Sequence, residues 1–88
     1  MSGRASIESM EEMEKILKVL KDAQDGVINR LNATYATIGT EWTDKHYKEL
    51  GEVVSSISKG INSANNEIED GLRRLQTLKR ALQDYLDA

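Results

Sequence analysis

The sequence predicts an all-α fold: a two-helix antiparallel hairpin over residues 6–38 and 44–87, hinged at Trp42. Three observations predict it. Apolar residues recur at intervals of three and four on both sides of mid-chain, the period of one helix face. A helix-breaking pair, Gly39-Thr40, interrupts that spacing just before the single tryptophan. Proline is absent and only 5% of residues are aromatic, which disfavours folds built from short strands and turns.

Taken in order, residues 1–5 are small and polar and are expected to be disordered. Ser6 and Ser9 are both candidate N-caps, and Ser9-Met10-Glu11-Glu12 has the serine and the acid three later of a capping box. Glu8, Glu11 and Glu12 put negative charge where the helix dipole favours it. The first stripe runs Met10, Met13, Leu17, Leu20, Gln24, Val27, Leu31, Thr34 and Ile38, widened by Ile16, Ala23, Ile28 and Tyr35. Gly26 interrupts it at a cost of about 1 kcal/mol relative to alanine.

The hinge has its own logic. Gly39 is expected to end the first helix in the left-handed conformation that suits glycine. Thr43 or Asp44 then supplies a capping oxygen for the second helix. Trp42 between them has two readings: a ring folded over the hairpin end to cover the last apolar turns, or a ring presented to a partner.

The second helix carries the strongest pattern. Heptad spacing gives Tyr47, Leu50, Val54, Ile57, Ile61, Ala64, Ile68, Gly71, Leu75, Leu78, Leu82 and Tyr85. Eleven of these twelve are apolar or aromatic, where a 39% background would give roughly five. Gly51, Gly60 and Gly71, with Ser55, Ser56, Ser58 and Ser63, keep its first two-thirds thin enough for close approach to another helix. At 1.5 Å per residue the two helices would span roughly 48 and 66 Å. The last dozen residues, with Leu78, Leu82, Tyr85 and Leu86, would then lack an intramolecular mate.

One hairpin of this size buries little, so the whole chain reads as a single domain that dimerises into a four-helix bundle. Leu50, Val54, Ile57, Ile61, Ile68, Leu75, Leu78, Leu82 and Tyr85 are the expected dimer or partner interface, with a homodimer and a heterodimer both open.

Composition narrows the chemistry. The net charge of -3 is spread evenly, with no basic tail, so nucleic acid is a poor partner. No apolar run approaches a membrane span, and the neutral balance and broken apolar face argue against stable membrane insertion. The first residues lack the apolar core of a cleavable signal peptide. There is no cysteine and one histidine, His46, with Thr43 rather than glutamate three before it. A bundle metal site of the Glu-x-x-His kind is therefore absent. Serines without a base nearby make no nucleophile, and the six glycines are too scattered for a phosphate loop. No catalytic, metal or cofactor-binding residues are assigned, and an enzyme is not expected. The basic cluster Arg73, Arg74, Lys79 and Arg80 is explained by i to i+4 pairing: Glu69–Arg73, Asp70–Arg74 and Arg80–Asp84. Asn32-Ala33-Thr34 matches a glycosylation sequon but falls mid-helix.

Helix, tryptophan turn, helix, in under 100 residues: this layout resembles the Trp-x-Gly (WXG) superfamily, the early-secreted-antigen-like hairpins of bacterial type VII secretion. Here the motif position reads Trp42-Thr43-Asp44, with aspartate for glycine, and Gly39, Trp42 and Asp44 form the turn motif. The resemblance implies a non-enzymatic secretion substrate, or the partner or chaperone of a larger secreted protein. It also implies dimerisation into a four-helix bundle, contact with a secretion ATPase, and export without a cleavable signal peptide. Many members carry Tyr-x-x-x-Asp/Glu after the second helix. Tyr85 is followed by Leu86, Asp87 and Ala88, with no acid four positions on, which favours travel with a partner. The competing reading is a cytoplasmic coiled-coil-like structural adaptor or assembly protein.

Overall fold

The computed structural model describes residues 2–88. Two helices account for nearly all of them: α1, Ser2–Ile38, and α2, Lys45–Asp87. They pack side by side as an antiparallel hairpin, 67 Å along its longest axis and 15 and 12 Å across. Among the described residues there is no strand.

Helix α1 begins earlier than the expected caps. It runs through Ser6 and Ser9 without interruption and includes residues 2–5, which sequence composition had assigned to disorder; Met1 lies outside the described residues. Packing explains the extension. Leu86 of α2 lies against Gly3 so closely that a Cβ there would overlap its side chain, so the first turn has something to pack on. Glu8, Glu11 and Glu12 consequently sit beyond the first turn.

The same contact corrects the expected overhang. Leu86 reaches Gly3 and Leu82 is half-buried, so the end of α2 meets the start of α1. The last dozen residues are not left without an intramolecular mate.

The interior is thin. Among the described residues only Leu75 is a buried hydrophobic, at 9% exposed, and it is joined by two buried polar residues, Glu14 and Asn65. Two cylinders touch along a line, and most side chains on that line stay half-covered. Among the described residues no helix is long and apolar enough to cross a membrane.

Candidate functional site

The hinge is closed by two tyrosines. Tyr35 near the end of α1 and Tyr47 in the first turn of α2 stack at 4.3 Å between ring centroids, 5° from parallel. Each hydroxyl donates to the other residue's backbone carbonyl, Tyr35 Oη to Tyr47 O at 3.2 Å and Tyr47 Oη to Tyr35 O at 3.0 Å. Each ring also lies over a glycine four residues beyond its partner: Tyr47 over Gly39, Tyr35 over Gly51. Burial raises the Tyr47 hydroxyl above its ordinary pKa, helped by the Tyr35 hydroxyl beside it. The signal was present in the sequence as two copies of Tyr-x-x-x-Gly, at 35–39 and 47–51, but helix periodicity alone does not single it out.

This arrangement revises Gly39. Among the described residues no glycine has a positive φ, so Gly39 does not take the left-handed cap conformation. It is needed for the room it leaves to Tyr47. The first helix ends instead by tightening: Thr40 N donates to Thr37 O and Glu41 N to Ile38 O, after which Trp42 N also reaches Ile38 O. The Thr40 hydroxyl donates to Thr37 O at 2.7 Å, satisfying a second lone pair at the frayed end.

Of the two candidates, Thr43 and Asp44, it is Asp44 that caps α2, accepting from His46 N at 2.8 Å. Partial burial pushes its carboxyl up. Hydrogen bonds from the His46 backbone, the Trp42 indole and the His46 ring outweigh that effect, so it is held below its ordinary value. Trp42 does not plug the hairpin end. It is 39% exposed, stacked near His46 at 6.3 Å and edge-on to Tyr47 at 6.4 Å. The tyrosine pair occupies the place the plug reading gave to the indole.

Along the shaft, the contact between helices is rotated from the most apolar phase of each. On α2, Val54, Ile61, Ile68, Leu75 and Leu82 are shielded against α1, alternating with Gly51, Ser58, Asn65, Leu72 and Lys79. The other half of the expected heptad seam, Leu50, Ile57, Ala64, Gly71, Leu78 and Tyr85, lies one row aside. Of that row, Ile57, Leu78 and Tyr85 are exposed and the rest half-buried. On α1 the shielded rows are Ile7, Glu14, Lys21, Ile28 and Tyr35 with Met10, Leu17, Gln24 and Leu31. Met13 and Leu20 are exposed.

Polar pairs account for the rotation. Lys79 Nζ lies 2.7 Å from Glu14 Oε1, both largely covered. Asn65, 4% exposed, donates to Asp25 Oδ1 at 2.9 Å. Lys21 bridges Asp25 at 3.4 Å and Glu69 at 3.3 Å. The hydrogen bond to Glu69, then Asp25, raises the Lys21 pKa, and that to Glu14 raises Lys79. The basic cluster is therefore split. Glu69 turns to Lys21 and Lys79 to Glu14, while Arg73 pairs with Asp70 three residues before it rather than with Glu69.

The consequence is a one-sided molecule. On both helices the displaced apolar row falls in the same angular sense from the shielded rows, and in an antiparallel pair that puts both on one face. Met13, Ile16 and Leu20 on α1 and Val53, Ile57, Leu78 and Tyr85 on α2 are all more than 40% exposed there. The opposite face carries Lys18, Asp25, Ser55, Asn62 and Glu69. Among the described residues no three histidine, aspartate or glutamate side chains gather as a metal site.

Fold and site together define a small all-α helical hairpin with a clasped hinge and one apolar face, features that suit a structural or interaction role. No family model, curated protein or solved structure matches the chain.

Proposed function

We propose that this chain is a non-enzymatic association module that serves type VII secretion in a bacterium, as a small substrate or as the partner or chaperone of a larger one. The observation that carries the association is the uncovered apolar face. Contiguous apolar patches on monomers rarely exceed about 300–600 Å², and this one runs along most of the hairpin. The secretion assignment is supported by the layout: two helices of similar length, a tryptophan at the tip, and a capping residue two positions later. Asp44 performs that capping with its side chain, so the turn survives without the motif glycine. Trp42, part-exposed at the tip, is the residue presented to the secretion machinery.

The test is expression in the native host with and without its secretion ATPase. Protein in the medium only when the ATPase is present supports the reading. Protein that stays in the cytoplasm in both strains, while still forming a complex through the apolar face, makes it a structural adaptor instead.

A further inference from the structure

We propose that this hairpin has a second packing, in which each helix turns by about 60° around its own axis and draws the apolar face into the seam. The second packing adds regulation to the association reading above, and rests on that reading only for what hiding the face would do. Steps of three residues lead from the shielded rows to the uncovered one: Glu14, Leu17 and Leu20 on α1, Ser58, Ile61 and Ala64 on α2. Such a step is about 300° of helix, or about 60° backwards. The middle row, with Leu17, Leu31, Ile61 and Leu75, stays in contact in either packing. The rows beside it differ in kind. The one now shielded contains Glu14, Lys21, Ser58, Asn65 and Lys79. The one now outside contains Met13, Leu20, Ile57 and Leu78, all more than 40% exposed. A turn in the same sense on both members of an antiparallel pair keeps the facing rows matched.

The observed packing leaves the Ser58 hydroxyl and the Asn65 carbonyl oxygen buried without a hydrogen-bond partner, a cost that turning them to water removes. Against that stand four ties, each made by the shielded polar row: Tyr35 with Tyr47, Lys21 with Glu69, Asn65 with Asp25, and Lys79 with Glu14. One packing is thus held by polar ties and the other by apolar contact. They respond oppositely to sodium sulfate, which screens charge pairs and strengthens apolar burial. Turning hides Met13, Leu20, Ile57 and Leu78, so a partner that binds them holds the observed packing.

Thiol-alkylation rates test this. The chain has no cysteine, so Leu72→Cys and Leu78→Cys, made separately, each place a lone thiol in one of the two competing rows. Leu72 is half-covered and Leu78 exposed in the observed packing. Ser58→Glu with Asn65→Glu puts two charges into the shielded row, one of them beside Asp25. Dilution to the 9.9 kDa single chain removes any contribution from association. Helicity should be kept, with the thiol at 78 slowing and that at 72 quickening by at least about fivefold. Sodium sulfate at ~1 M should move the chain without the two glutamates the same way, and Glu14→Leu with Lys79→Leu should abolish that response. If neither condition moves the two rates in opposite directions, the second packing is overturned. Slowing at 78 alone means that another molecule covers the face, which overturns this inference and leaves the association reading standing. Opposed changes in a chain that binds nothing through its apolar face would keep the second packing and sink the association reading.

Discussion

An alanine at Gly39 or Gly51 would drive its methyl group into the ring of a tyrosine from the other helix. The ring must then move off, and its hydroxyl loses the carbonyl it bonds to. Each substitution is expected to destabilise the hairpin by about 1–3 kcal/mol. Alanine at Gly26 or Gly60, where nothing lies within 4 Å, should instead stabilise by about 0.5–1 kcal/mol, and urea denaturation of the four variants reads the contrast. Trp42→Ala should cost only about 1–2 kcal/mol for a part-exposed ring, whereas a fully buried plug would cost ~3–5 kcal/mol. A larger loss in secretion than in stability would mark the indole as a recognition group. Asp44 has a folded pKa held below its unfolded value near 3.8. Its capping contribution is therefore complete above that pH and is lost as pH falls through the folded value; circular dichroism below pH 4 should show α2 fraying from its first turn. At this scale Asp44 was legible, since a cap is a local property of the chain. The tyrosine clasp was not, because it exists only when residues twelve apart meet across the hinge.

The helices themselves were legible to within a few residues, and the difference is instructive. Capping signals at Ser6 and Ser9 are overridden by a contact eighty-odd residues away, Leu86 on Gly3. The phase of packing was misread more seriously. Apolar spacing ranks rows by hydrophobicity, so it put Leu50, Ile57 and Leu78 in the seam; the structure puts Asn65 and Lys79 there because Asp25 and Glu14 meet them. Lys79→Met strands the covered Glu14 carboxylate, so the melting temperature should fall, whereas Glu14→Leu with Lys79→Leu should recover or exceed the wild-type value. Thermal melts of the single and double variants check this. The raised pKa values of Lys21 and Lys79 add an alkaline limit. Their contribution is intact below the unfolded value of 10.5 and disappears as pH rises through the higher folded values, so melting temperature should drop above that point.

For the whole molecule, the hairpin and its hinge were read from periodicity and one break, because a two-helix chain has few ways to bury two stripes. The tail of α2 is paired because α1 starts at Ser2 and its Gly3 lies against Leu86, which brings the far ends together. What the sequence did not reveal is sidedness. Each helix has two apolar rows, and only the handedness of an antiparallel pair shows that the spare rows share a face. If that face is covered on association, stability becomes coupled to concentration. The melting temperature should then rise with the concentration of the partner that covers it, and a charge placed on the exposed face, Ile57→Glu, should flatten that dependence.

The tyrosine clasp also sets an order of events. Its two halves are separated by twelve residues, whereas Gly3 and Leu86 can meet only by closing nearly the whole chain. Closing a loop of about ten residues takes ~10–100 ns, and the entropic cost grows with loop length. Folding should therefore nucleate at the hinge and zip toward the termini, so that substitutions at Tyr35 slow folding while those at Leu86 mainly hasten unfolding.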